Sequence, residues 1–312
     1  MGDVDMYKDN LKIRQYQLSD TAFIVKMINR DPFNLQKGIT VDEFERYLDK
    51  PDAKSRENTF VAVVDNQIIG YISLSFASHL TGRKVDSYSA VDVDWRRKGL
   101  GTLLIEFILQ HLNQYAHSVN QTIHFVLRVD SRTPGMLELA HLHGMVKRHE
   151  LLILRNSEID QAQVVPLPTN FSFRSPTHTD ATAWASVYNA AFNGNKTTDS
   201  VVHEFGSSEF RPDLSLLALT IEGEPVAFIS SKMVGGVGQI PTIAVKPSYQ
   251  RLGLGKALLL EGLYRFKKAG ANEITLSVNT ANDKAIDLYE KNGFIHSSSR
   301  SYYFKTISPS DS

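Results

Sequence analysis

Apolar positions along this chain follow two periods. From Phe60 to Leu74, the segment FVAVVDNQIIGYISL alternates apolar and other residues on either side of the polar turn Asp65-Asn66-Gln67, which predicts two short strands joined as a hairpin. Further on, Leu100, Leu103, Leu104, Phe107, Ile108 and Leu112 recur at spacings of three and four, which predicts one apolar helical face. The same succession returns in the second half. LLALTIEGEPVAFIS, from Leu216 to Ser230, alternates around Glu222-Gly223-Glu224, and a helix is predicted from about Leu254 to Lys268, ending at Gly270.

The return is systematic. IRQYQLSD, ending at Asp20, reads against FRSPTHTD, ending at Asp180, at an offset of 160. The two hairpin turns lie 157 residues apart, VDVDWRRKGLG from Val91 and VKPSYQRLGLG from Val245 lie 154 apart, and VDSRTPGMLELAHLHGM matches VNTANDKAIDLYEKNGF at 149. An offset that drifts in one direction while element order is kept is the mark of duplicated domains with different loop lengths. NSEIDQAQVVPLPTN, residues 156–170, has neither period and carries two prolines, so the linker is expected there. The expected domains are residues 1–157, a linker over 158–170, and residues 171–312. Each half reads as an α/β fold with a mixed, mainly antiparallel sheet flanked by helices.

Composition narrows the chemistry. Among 312 residues, 42% are hydrophobic and 22% charged, the balance of folded domains. Lys plus Arg equals Asp plus Glu at 34 each, so no global field recruits nucleic acid or an anionic membrane. Cysteine is absent, which rules out a cysteine-acyl intermediate and thiolate metal ligands. The polar, acidic start MGDVDMYKDN and the lack of a long apolar run lead us to expect a cytoplasmic protein without metal.

The candidate chemistry sits where a strand meets a glycine turn and a helix: Gln250-Arg251-Leu252-Gly253-Leu254-Gly255, followed by Lys256. Amides at a helix start carry positive dipole density, and glycines let a pyrophosphate approach them. Arg96-Arg97-Lys98-Gly99-Leu100-Gly101 repeats the pattern in the first half. Neither fits the spacing of a dinucleotide fold or a P-loop. The six residues from Gln250, after Val245-Lys246-Pro247, resemble motif A of the GNAT superfamily of N-acetyltransferases. Asn279, Asn282, Ala285, Leu288-Tyr289 and Gly293-Phe294 resemble its motif B. The resemblance covers most of residues 171–305 and extends more weakly over 11–155.

This resemblance implies a tandem enzyme that uses acetyl-coenzyme A (acetyl-CoA) as co-substrate and acetylates a primary amine of a small molecule or peptide by direct attack. It implies Ile243 as amide donor near the thioester, Val245 as partner of the pantetheine arm, and Gln250, Arg251, Leu252, Gly253, Leu254, Gly255 and Lys256 as the phosphate loop. Asn279, Asn282 and Ala285 would border the cofactor, and Tyr289 would be the general acid, with Asn282, Ala285 and Tyr289 on one helix face. Some family members have a glutamate base where this chain has Gln239; Glu204, Glu209, Asp213 and His203 are candidates without an assignment. In the first half Ala140 stands opposite Tyr289, Asp130 opposite Asn279 and Thr133 opposite Asn282, while Pro134 alters the helix start. That half is expected to be non-catalytic, with Val93, Arg96, Arg97, Lys98, Gly99, Leu100 and Gly101 as a second cofactor set; His141 or His143 is the alternative acid. A non-catalytic acetyl-CoA sensor, or an enzyme for longer acyl groups, is the competing reading.

Overall fold

The computed structural model describes residues 10–33, 38–159 and 168–309. The expected linker lies mainly outside the described residues. Two compact units are present.

The first unit begins with β1 (Lys12–Gln15), α1 (Thr21–Arg30) and α2 (Val41–Leu48). It continues with β2 (Thr59–Val64), β3 (Gln67–His79), β4 (Gly82–Val91), α3 (Leu100–Val119), β5 (Ile123–Asp130) and α4 (Met136–Leu142). The strands neighbour one another in sequence order, antiparallel except for β4 and β5, which run parallel. Alternation along β2 and β3 decides which residues meet which helices. Phe60, Ala62, Ile72 and Leu74 join the α3 face made by Leu104, Ile108 and Leu112. Val61 and Tyr71 turn the other way, to Ile24, Ile28 and Phe44 of α1 and α2. The apolar face predicted for residues 100–112 is therefore the one that α3 buries.

β6 (Val146–Asn156) enters the second unit at Leu151, and that unit goes on with β7 (Phe171–Arg174), α5 (Ala181–Phe192), α6 (Thr198–Phe205), β8 (Leu216–Thr220), β9 (Pro225–Val234) and β10 (Val237–Val245). After these come α7 (Leu254–Lys268), β11 (Glu273–Asn279) and α8 (Asp283–Glu290). Again β7 to β10 are antiparallel neighbours and β10 and β11 are parallel. Ile229, Leu258, Leu263, Phe266 and Ile274 make the core on the α7 side. Trp184 stacks on Phe228 at 3.8 Å on the α5 side.

The same local device starts the first helix of each unit. Arg14 donates two hydrogen bonds to Asp20, at 2.7 and 2.9 Å, and Asp20 also accepts from the Gln17 amide at 2.8 Å. Arg174 donates to Asp180 at 2.7 and 2.6 Å, and Asp180 accepts from the Thr177 amide at 2.7 Å. The Arg and Asp that recur at the start of the sequence repeat are thus a fork that fixes the chain at the helix entrance.

The compact units do not end where the sequence halves end. β5 takes its second neighbour from the last strand, β12 (Ile295–Ile307), antiparallel from Arg300↔Asp130 to Ile307↔Ile123. β11 takes its second neighbour from β6, antiparallel from Ile274↔Asn156 to Asn279↔Leu151. One unit accordingly comprises the described residues up to Glu150 and from Ser299, and the other runs from Leu151 to Ser298. β6 and β12 occupy equivalent places in the repeat, and each pairs with the edge of the other half.

Candidate active site

In the second unit β10 and β11 pair from Val237↔Glu273 only as far as Ile240↔Leu276, yet β10 runs on to Val245 and β11 to Asn279. The strands therefore part and leave a wedge. The register of β10 against β9 also slips between Gln239 and Thr242. Pro241 sits in that slip and has no N–H to give to a ladder, which makes the bulge its natural place. Beyond it, Ile243 lies opposite Ile229 and Val245 opposite Ala227 on β9.

The glycine turn closes the wide end of the wedge. Gln250 donates from Nε2 to the Val245 carbonyl at 3.2 Å. Arg251 follows with φ +66°, and Gly253 caps α7 with φ +84° and ψ −6°. In the first unit Arg96 donates from Nε to the Val91 carbonyl at 3.3 Å, Arg97 has φ +62°, and Gly99 caps α3 with φ +88° and ψ −6°. The two loops share one backbone conformation, including a left-handed arginine that L-residues adopt at a cost. Nothing within 4 Å but Val245 Cγ2, at 4.0 Å, would meet a Cβ added at Gly255. The bare α-carbon is therefore not needed for packing, and the open space over it suits an anion seated on the amides of the α7 start. Arg251, Leu252 and Lys256 are exposed around it, and Leu254 is buried in the core.

Motif B is placed differently from the expectation at one residue. Asn282 is not part of the helix face shared by Ala285 and Tyr289. It is the N-cap of α8, its Oδ1 accepting from the Ala285 amide at 3.2 Å. Asn279 Oδ1 accepts from the Ala281 amide at 2.9 Å. Both asparagine oxygens thus hold the turn that aims α8. Ile243, Val245, Ala285 and Tyr289 are brought together as partly buried residues on the border of one core, which includes Leu254. Burial pushes the Tyr289 phenol up to about 12, so it stays protonated through the neutral range. Its ring lies 5.9 Å from that of Phe294.

The carboxylates without an assignment are all paired. Glu209 meets Lys232 at 3.0 Å, and Asp213 is held below the usual carboxylate range by hydrogen bonds from Arg211. Glu204 meets Lys196 at 2.5 Å and also accepts from Ser230 Oγ at 3.4 Å; Ser230 is the β9 partner of Thr242, at the edge of the bulge. Glu204 thus reaches β9, the neighbour of the strand carrying Ile243, on one side of the bulge, and Glu209 reaches it on the other side through Lys232, the partner of Gln239.

The first unit has its own wedge. β4 and β5 pair from Arg83↔Ile123 to Asp86↔Val126 and then separate. A cavity of about 490 Å³ opens between Ser87–Val91 and Leu127–Asp130, with the loop of Arg96, Arg97, Gly99 and Gly101 on its border. Lys98 packs toward Trp95, its Nζ 5.1 Å from the ring centroid, and Leu100 is buried. Val91 ends β4 and lines the cavity, whereas Val93 begins the short 3-10 turn after it. Asp130 is buried and takes 2.9 and 3.1 Å bonds from Arg132, and Ala140 is fully buried. His143 is held below the usual histidine value by burial. Sequence reasoning missed Tyr88 and Arg128, which line this cavity. The signal was available: an arginine breaks the apolar run of FVLRVD.

Comparison with known proteins agrees with these features. The sequence profile described as the Acetyltransferase (GNAT) family matches residues 23–132 and 181–294. A mycothiol acetyltransferase of Saccharomonospora viridis is 30% identical over 246 residues, covering 73% of this chain and 76% of that protein. Among solved structures, a GCN5-related N-acetyltransferase from Sphaerobacter thermophilus superposes with a TM-score of 0.74 at 19% identity, covering 96% of this chain and 97% of the other. A tandem GNAT protein from the clavulanic acid biosynthesis pathway gives 0.73 at 14%, covering 97% and 99%. At those identities the two structures speak for the fold alone.

Proposed function

Because the chain belongs to the GNAT family of acetyltransferases, we propose that its second unit transfers the acetyl group of acetyl-CoA to a primary amine of a small molecule. The observation that carries this reading is the wedge itself. It has a left-handed glycine loop at its wide end and a partly buried, protonated tyrosine on the helix that follows β11. The pyrophosphate would rest on the amides around Gly253 to Lys256, with Arg251 and Lys256 supplying charge. The pantetheine arm would run along Val245, with the Ile243 amide toward the carbonyl oxygen. Acetyl-CoA supplies the activated thioester.

The neutral amine forms the new N–C bond as the C–S bond breaks. The Tyr289 hydroxyl gives its proton to the leaving sulfur, and the extra proton on nitrogen leaves to water. A small amine is favoured over a peptide by the named substrate class of the mycothiol acetyltransferase relative. The first unit keeps the loop and has buried Ala140 in place of the acid. In this reading it holds a coenzyme A moiety and moves no acetyl group.

The test is Tyr289→Phe assayed against a panel of amines by free-thiol release. Turnover should fall by roughly 10²- to 10⁴-fold while acetyl-CoA affinity is kept. Because burial raises the phenol to about 12, the wild type should gain rate as the amine deprotonates and show no loss from Tyr289 ionising up to about pH 10. A threefold or smaller effect of Tyr289→Phe where chemistry limits the rate makes Tyr289 a packing residue.

A further inference from the structure

The cavity of the first unit has a cation at its narrow end. Strand pairing stops at Asp86↔Val126, so Tyr88 and Arg128, two residues beyond the last pair on either strand, stand at the vertex of the wedge. The Arg96–Gly101 loop stands at its open side. The Arg128 side chain is 17% exposed. Its guanidinium carbon lies 3.9 Å from the centroid of the Tyr88 ring and 5.9 Å from that of Tyr302, so aromatic faces fix its plane.

Its polar atoms are not matched in the same way. Arg128 Nε is buried without a hydrogen-bond partner, and so is Asp86 Oδ1. The nearest approach of the two side chains is 3.5 Å from Nη2 to Oδ1, too long for a hydrogen bond. Asp86 is engaged on its other oxygen by Lys84 at 3.0 Å. Lys84, Asp86 and Arg128 together leave one positive charge over. Taking a guanidinium out of water with an N–H unpaired is costly, and its planar fork matches a carboxylate in two parallel bonds.

We propose that Arg128 is the anchor of a carboxylate subsite at the narrow end of the first unit's cavity. The ligand class is a small carboxylate, either free or as the end of the acyl chain of an acyl-CoA. The acyl-CoA source rests on the phosphate-loop reading above; the carboxylate subsite does not. With phosphates on the loop, an acyl group points from the open side of the wedge toward its vertex, so a dicarboxylic acyl group brings its free carboxylate to Arg128.

The experiment is calorimetric titration of the full chain with acetyl-CoA, malonyl-CoA and free malonate, on wild type and on Arg128→Gln. Malonyl-CoA is expected to bind the wild type about tenfold more tightly than acetyl-CoA. Arg128→Gln should erase that preference and leave acetyl-CoA unchanged. Free malonate binding that depends on Arg128, with no preference for malonyl-CoA, keeps the subsite and overturns the loop reading for this unit. Equal affinities for the two thioesters together with no malonate binding overturn the proposal, as does a preference that survives in Arg128→Gln. Should Arg128→Gln fail to fold, the wild-type comparison decides together with Arg128→Lys, which keeps the charge and loses the fork.

Discussion

Gly255 lies inside α7, where glycine is a poor choice for the helix, and the space over its α-carbon is open. Gly255→Ala should therefore have effects of opposite sign on fold and ligand. Stability should rise by roughly 0.5–1 kcal/mol, since alanine has less backbone freedom to lose. Coenzyme A affinity should drop, because the new methyl stands where the phosphate must approach. Thermal unfolding and titration on the same sample check both; a methyl that leaves affinity intact removes the pyrophosphate from this loop. Asp180 is a residue with a different duty. Hydrogen bonds from Arg174, and then from Thr177, outweigh burial and hold its carboxyl down to about 2, from an ordinary 3.8. A lowered folded-state value stabilises above the unfolded value, and that contribution disappears as pH falls from about 4 to about 2. Asp180→Asn should cost about 1 kcal/mol at pH 7, discounted for the exposed Arg174. The difference in urea midpoint from wild type should shrink on acidification through that window, and a constant difference would deny the charge any part. Residues of this kind were half legible in the sequence. The Arg and Asp of the repeat could be seen, but not that they touch. Arg128 stood out only as a break in an apolar run.

At the scale of elements, periodicity served well wherever one face is buried. The alternation around Asp65-Asn66-Gln67 becomes the β2–β3 hairpin, and the spacing from Leu100 to Leu112 becomes the core face of α3. The glycine turns were legible because positive φ has a sequence price that glycine meets, and Gly99 and Gly253 have nearly the same angles. What the pattern could not show was a side chain bonding to its own backbone. Asn282 has the right spacing for a helix face, but as an N-cap its oxygen is spent on the Ala285 amide. The bulge at Pro241 was likewise hidden, because a slip in register belongs to two strands at once and the sequence of one does not display it. Glu204 reaches the bulge through Ser230, a contact that spans three elements and leaves no trace in spacing.

At the scale of the whole molecule, the duplication was plain in the drifting offsets, and the exchange of closing strands was not. β6 and β12 look alike in the repeat, so no pattern says which of them borders β5. The structure gives β12 to β5 and the second half of β6 to β11. A fragment of residues 1–157 should therefore be poorly folded, since β5 would present an edge that eight register pairs with β12 cover in the full chain. Circular dichroism melting of that fragment, alone and with a peptide of residues 295–309, tests this: cooperative unfolding without the peptide would show that the first unit does not need β12.

The strand that completes the first unit is also synthesised after the residues of the second. Domains made on the ribosome commonly fold in order, N-terminal first. Here the first unit can gather its helices early but cannot seal its sheet until residues 300–307 have emerged. The unit begun first is thus completed only after the second has been made, and a premature stop in the second half before Ser298 leaves both units incomplete.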